Sequence, residues 1–331
     1  MENNLLVTSS PHIRGKDSTQ RIMIDVIIAL LPAVAAGTWF FGVRSLAVIL
    51  VTVLSCVVSE YLARKVMKRN NTIFDFSAVV TGLLLALNLP STIPLWIAAV
   101  GGVFAIVVVK QLFGGIGQNF VNPALAARVV LLLSWTNHMT NWALPAGVDA
   151  VSSATTTGVD AVSSATPLAL IEKGVEAVEG SLPSYFDMFI GRIGGTIGET
   201  SKLALLIGAC YLIFRKVISP VIPVSFIATV GLFTWIFGGN GLFTGDFVYH
   251  ILAGGLILGA FFMATDYTTS PVTKKGKIIM GIGCGLITGI IRLYTNYPEG
   301  VSFAILIMNI LTPLIDRYTV PASFGGEKHA A

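Results

Sequence analysis

Thr81-Gly-Leu-Leu-Leu-Ala-Leu87, followed by Asn88-Leu-Pro-Ser91, is echoed far downstream by Gly254-Gly-Leu-Ile-Leu-Gly-Ala260 and the polar stretch Thr265-Asp-Tyr-Thr-Thr-Ser-Pro271. In both places an apolar run ends in residues that bend the chain and carry hydrogen-bonding groups. Counting outward, the first run belongs to the third apolar segment and the second to the eighth. The segments fall at roughly 23–41, 45–63, 75–89, 95–109 and 123–135, then 202–218, 220–238, 247–264, 278–294 and 300–315. Several are shorter than the ~20 residues of a straight span. Five segments precede a long polar stretch and five follow it, and a repeat with an odd number of spans inserts its second copy upside down. The pattern therefore predicts an all-α integral membrane protein of about ten transmembrane helices, in two inverted five-helix repeats with interrupted helices.

Composition points the same way. Of 331 residues, 54% are hydrophobic and only 11% charged, against about 25% charged in soluble domains. Residues 1–21 are polar, with no apolar run and cleavage site, so no cleavable signal peptide is expected. With both termini in the cytoplasm, fifteen of the 21 Lys and Arg fall inside, five outside and Arg128 within a segment. That bias is the positive-inside signature, and it explains the net charge of +4 better than nucleic-acid binding does. The expected organisation is a cytoplasmic segment 1–22, a membrane repeat 23–135, an extracytoplasmic loop 136–201, a second membrane repeat 202–316 and a cytoplasmic tail 317–331.

The loop writes one phrase twice. Val148-Asp-Ala-Val-Ser-Ser-Ala-Thr155 recurs as Val159-Asp-Ala-Val-Ser-Ser-Ala-Thr166, and only the second copy continues into Pro167-Leu168. A flexible small-residue linker is one reading. The other is a modification site, because a Thr among Ala, Pro and small residues leaves its hydroxyl within reach of an enzyme.

Cys56, Cys210 and Cys284 sit singly in separate apolar segments. With no CxxC, this chain cannot supply the four thiolates of an iron–sulfur cluster, and all three read as small buried hydrophobes. Of the four histidines only His250 lies well inside a span, so metal or haem chemistry is not expected. Gly114-Gly-Ile-Gly117 precedes neither a strand nor Gly-Lys-Ser/Thr, and most glycines read as close-packing positions between helices, as in Gly281-Ile-Gly-Cys-Gly285.

Polar groups at membrane depth are the remaining candidates. Gln118-Asn119-Phe-Val-Asn122-Pro123 opens the fifth segment. Pro123 suits the first helical position after an Asn cap, and Asn119 shares a face with Asn122 if the helix reaches back that far. A capped helix start and a site for a flat, heteroatom-rich ligand or an ion both fit. Asp266, at the bend of the second half, follows the same logic. Asp25, Glu60, Asp75 and Asp246 lie at segment ends, where interfacial anchoring is the simpler reading.

Taken together, Ser9-Ser-Pro11, Arg21-Ile-Met23, Trp39-Phe-Phe-Gly42, Thr81-Gly-Leu-Leu-Leu-Ala86, Lys110-Gln-Leu-Phe-Gly-Gly-Ile-Gly-Gln-Asn119, Asn122-Pro-Ala124, Ser164-Ala-Thr-Pro-Leu168 and Ala264-Thr-Asp266 resemble the NqrB/RnfD family nearly end to end. The resemblance implies a multi-pass subunit of a bacterial cell (inner) membrane complex. That complex couples ferredoxin:NAD+ electron transfer to Na+ or H+ translocation. It implies FMN joined by a phosphoester to Thr166, with Thr155 as the alternative, attached by a flavin transferase. It also implies partner subunits that carry iron–sulfur clusters and a second covalent FMN. Asn119, Asn122 and Asp266 resemble residues that hold a non-covalent flavin, a riboflavin, in a related subunit. A solute channel or secondary transporter is the rival class, since interrupted inverted repeats serve that purpose too.

The topology is directly testable. Cysteines placed at Ser181 and Asn240 are expected to react with an impermeant reagent from outside, and cysteines at Asn71 and Lys274 are not. Outside labelling at Asn71 or Lys274 would invert the arrangement.

Overall fold

Short polar side chains decide where the apolar runs become helices. Ser18 accepts from Arg21 N, Asn122 from Ala124 N and Leu125 N, Ser201 from Ala204 N, Asp246 from Tyr249 N and Thr273 from Gly276 N. Each satisfies an orphan N–H of a first helical turn. The computed structural model describes residues 18–143, 145, 167–168, 183–239, 241–295 and 300–321. Among them the regular structure is helical, with no strand.

All ten apolar segments form helices. They are α1 Thr19–Phe41, α2 Val43–Val66, α3 Ser77–Leu87, α4 Leu95–Gln111, α5 Pro123–Ser134, α6 Lys202–Phe214 and α7 Val221–Phe237, then α8 in pieces, α9 Lys274–Tyr294 and α10 Val301–Thr319. The pieces of α8 are Phe247–Leu252 and, after a break at Ala253-Gly-Gly255, Leu256–Leu258 running into a π-helical stretch Gly259–Met263. A second π-helical stretch, Phe104–Gln111, closes α4. Among the described residues, only α1, α2, α9 and α10 are long and apolar enough to cross a membrane unaided. With 11 residues, α3 covers about 16 Å at 1.5 Å per residue, roughly half the hydrocarbon core.

The two halves repeat one packing pattern. In the first, α2 lies against α4 and α4 against α5; in the second, α7 lies against α9 and α9 against α10. Across the halves, counterparts meet: α1 packs on α6, and α5 on α10. Glycine makes the tightest of these approaches. Gly281, Gly285 and Gly289, one turn apart on α9, face Ser225, Thr229 and Phe233 of α7 so closely that a Cβ at any of them would lie within 2.5 Å of that side chain. Between α1 and α6, a Cβ on Gly208 would fall 2.0 Å from the carbonyl oxygen of Ala29. Below this contact Asp25, itself buried, accepts from Tyr211 Oη at 2.8 Å and pairs with Arg215 at 3.2 Å, tying α1 to the end of α6.

Two expectations are corrected. Cys56 and Cys284 are buried, but Cys210 is exposed on the outer face of α6, because its neighbour Ala209 takes the inward position. Glu60 is not an interfacial anchor: it is fully buried between α2 and α4, paired with a lysine 50 positions away.

Gly208→Ala is expected to lower the thermal stability of the detergent-solubilised chain, at an overpacking cost of about 1–3 kcal/mol. Gly241→Ala, at an exposed position where a Cβ meets only ordinary contacts, is the matched control and should leave the melting curve in place.

Candidate functional site

A cavity of about 290 Å³ opens between the two halves. Its apolar wall comes from α1, α3, α6 and α8, through Ile22, Leu84, Leu212 and Phe261 among others. Its polar wall is Ser77, Lys110, Asn119, Asn122, Asp266 and Thr268. The three residues singled out from sequence thus line one space, although Asn119 and Asp266 are 147 positions apart.

Asn122 is a helix cap: its Oδ1 accepts from Ala124 N at 3.0 Å and Leu125 N at 3.3 Å. Its Nδ2 crosses to the second half and donates to Met263 O at 3.3 Å, the end of the π-helical stretch of α8. Asn119 reaches the cavity by a different route from the shared helix face considered above, because α5 begins only at Pro123. A turn carries it there instead, and its Nδ2 donates to Val121 O and to Thr268 Oγ1, both at 3.0 Å. Asp266 follows the same π-helical stretch and accepts from Thr268 N at 3.4 Å, Thr268 Oγ1 at 3.1 Å and Thr269 Oγ1 at 3.4 Å. Thr268 thus ties the Asn119 amide of the first half to the acid of the second.

Two supporting groups escaped the sequence reading. Asn309 on α10 is buried; oriented so that its Nδ2 donates to Thr269 O and Ile305 O, its Oδ1 accepts from Asn122 N at 3.1 Å. Lys110 is the other. Its Nζ, on the π-helical end of α4, donates to Glu60 Oε2 at 3.0 Å and to Ser77 Oγ at 2.6 Å. Gln111 Nε2 and Thr72 Oγ1 complete the carboxylate at 2.9 and 3.1 Å. A buried ion pair survives when its remaining lone pairs are filled in this way. The available signal was Glu60 and Lys110 each facing an apolar segment end, but nothing local says that they meet.

Thr166 and Thr155 lie outside the described residues, but the two residues that follow Thr166 lie within them. Leu168 is buried in a small cluster with Met188, Ile193, Tyr249 and Ala253, and Tyr249 Oη donates to Pro167 O at 3.3 Å. The Pro-Leu that distinguishes the second copy of the repeated phrase therefore docks against the break in α8. At that break Gly254 takes a φ of +71° and passes so close to Leu168 and Arg292 that a Cβ there would lie within 2.9 Å of both.

Known proteins share this sequence along nearly its whole length. The family model described as the NQR2, RnfD, RnfE family matches residues 6–325. The D subunit of the Na(+)-translocating ferredoxin:NAD(+) oxidoreductase complex of Acetobacterium woodii is 52% identical over 329 residues, covering 99% of this chain and 97% of its own. The D subunit of the proton-translocating ferredoxin:NAD(+) oxidoreductase complex of Clostridium ljungdahlii is 46% identical, covering 98% and 97%. The D subunit of the ion-translocating oxidoreductase complex of Stutzerimonas stutzeri is 38% identical, covering 94% and 93%.

The buried pair on the cavity wall makes a measurable claim. Glu60→Leu strands Lys110 and is expected to destabilise the chain by about 3–5 kcal/mol, whereas Glu60→Leu with Lys110→Met should recover most of that loss. Thermal unfolding of the single and double variants checks it.

Proposed function

Because the chain belongs to the NQR2, RnfD, RnfE family, we propose that it is the D-type membrane component of an ion-translocating ferredoxin:NAD+ oxidoreductase complex. In this reading it carries electrons on an FMN held by a phosphoester to Thr166. The observation that carries the proposal is the docking of Pro167-Leu168 against the break in α8. This singles out the copy of the repeated phrase that ends in Thr166 and fixes the chain immediately after it.

The surroundings of that anchor suit a phosphate-bearing group. Arg292 is buried there, and its Nε has no acceptor among the described residues. Gly254 lets Leu168 and Arg292 approach the backbone more closely than a side chain there would allow. A bound flavin would supply the redox chemistry, and the protein's part is position, exclusion of water and electrostatic setting. The thiol count supports dependence on partners: with single, separated cysteines, iron–sulfur clusters fall to other subunits of the complex, and by the resemblance a second FMN does too. A flavin transferase would make the phosphoester on the extracytoplasmic loop, the side that the distribution of Lys and Arg favours, with both termini in the cytoplasm of a bacterial inner membrane.

The 290 Å³ cavity, close to the ~300 Å³ lower bound of small-molecule sites, belongs to the same reading as the place of a non-covalent riboflavin. Asn119, Asn122 and Asp266 would be its polar edge. Donors and acceptors on one side and an apolar face on the other match a flat heteroatom-rich ring.

Thr166→Val is expected to abolish yellow-green fluorescence of the chain in a denaturing gel while leaving membrane insertion intact, and Thr155→Val is expected to retain it. Fluorescence that survives the first change and disappears with the second would move the attachment by one repeat. A wild-type chain with no fluorescence would favour the transporter reading.

A further inference from the structure

Helices α1 and α6 run antiparallel: Asp25 meets Tyr211 and Arg215, Ala29 meets Gly208, and Gly37 lies against Ile197 just before α6 begins. Exposed apolar residues flank this seam on both helices. On α1 they are Ile24, Ile28 and Leu31; on α6 they are Leu203, Ile207 and Phe214, with Cys210 exposed among them. Ile24 and Ile28 each lie one position before a contact residue, and so do Ile207 and Cys210. One position is a rotation of about 100°, and in an antiparallel pair a shared offset puts both stripes on the same side. The seam is therefore a groove with two apolar walls. From Arg21 to Leu31 it rises about 15 Å at 1.5 Å per residue, one leaflet of a ~30 Å hydrocarbon core.

At the foot of the groove lies a hollow of about 390 Å³ whose lining includes Arg21, Asp25, Arg215 and Lys216. The acid and one cation there are already matched: Asp25 Oδ1 accepts from Tyr211 Oη and Oδ2 from Arg215. Arg21 and Lys216 are exposed, and among the described residues neither reaches a carboxylate. Lys216 is held in the turn after α6 at a φ of +57°, a left-handed conformation that glycine or asparagine takes more readily. Two cations at the mouth of a hollow, with apolar walls rising from it, are complementary to one kind of molecule. It is negative at one end and carries chains long enough to line a leaflet.

We propose that this seam seats an anionic phospholipid, its phosphodiester between Arg21 and Lys216 and its acyl chains along Ile24, Ile28 and Leu31 of α1 and Ile207 and Phe214 of α6. A phospholipid phosphodiester carries one negative charge and two free oxygens, which suit a guanidinium fork and an ammonium. Basic hollows between helices at a membrane surface hold lipid headgroups in this way. The distribution of Lys and Arg puts this end of α1 on the cytoplasmic side, where the leaflet's surface potential is negative. The seat is independent of Thr166 and of any flavin. Ile22, Val217 and Tyr267 line both this hollow and the 290 Å³ cavity, so a headgroup here also backs the cavity wall.

The test is the melting of the full-length chain in detergent with added phosphatidylglycerol, against phosphatidylcholine at equal lipid content. Phosphatidylglycerol is expected to raise the melting temperature several degrees above phosphatidylcholine. Arg21→Gln with Lys216→Gln should lose most of that difference, and Arg21→Lys with Lys216→Arg should keep it. Lys274→Gln with Lys275→Gln removes two exposed charges from the start of α9; it is the control and should keep the difference too. Inorganic phosphate at the same concentration should give no such shift. If the double Gln variant does not fold, Arg21→Gln and Lys216→Gln alone are each expected to lose part of the difference. Three results would each overturn the seat: a full phosphatidylglycerol effect in the Arg21 and Lys216 Gln variants, an equal loss in the control, or an equal shift from inorganic phosphate.

Discussion

Carbonyl oxygens left open where a helix breaks inside a bilayer must find donors from elsewhere in the chain, and this architecture is organised around finding them. Water is absent, and each unmatched group costs several kcal/mol. The end of α3 is closed by Ile197 N to Leu89 O at 3.0 Å and Gly198 N to Leu87 O at 2.8 Å. Asn88 turns its amide back to Leu84 O, and Arg44 covers Ser91 O and Thr92 O. The break in α8 is closed by Arg292, and its far end by Asn122. The donors come from distant segments, so the interruptions also hold the two halves together.

The same constraint brings polar groups to the middle of the molecule. A continuous helix presents almost no hydrogen-bonding backbone to a ligand, whereas an interrupted one brings side-chain amides, guanidinium groups and carboxylates to the middle of the molecule. The second piece of α8, residues 256–263, is about 12 Å long at 1.5 Å per residue. The docked Pro167-Leu168 stands at one end and the cavity at the other. Both π-helical stretches border the cavity, through Lys110 and Phe261. Such stretches recur at functional sites, because the wider turn re-aims side chains that a regular α-helix would bury. Relatives 52% and 46% identical to this chain belong to complexes named for sodium and for protons, so one frame is shared by complexes named for different ions.

The sequence was most legible where the physics is local. The positions of the ten apolar runs, the Asn122-Pro123 cap and the small-residue packing of Gly281 and Gly285 all follow from hydropathy, capping chemistry and volume. Asn119, Asn122 and Asp266 were legible as costly polar groups in lipid, but their convergence was visible only through the repeat and the resemblance. Pairings with no local signature stayed hidden. Glu60 with Lys110, Asn309 with Asn122, and Arg292 with the carbonyls of His250 and Ala253 are contacts between segments far apart in sequence. A charged residue in an apolar run reveals that it needs a partner, not which one. Arg128 and Lys202 were counted for topology, and that use hid how deeply both are buried.

The anchoring of Pro167-Leu168 also changes what affinity means for anything attached just before it. A free cofactor has to be held at nanomolar to micromolar strength to stay on a protein facing an open compartment. A group tethered one residue from a fixed point meets its cradle at an effective concentration on the order of millimolar or above. Weak intrinsic binding is then enough for nearly full occupancy, and weak binding can be given up and regained quickly. A cradle of that kind would let its occupant leave and return without being lost, a freedom that a tight pocket denies.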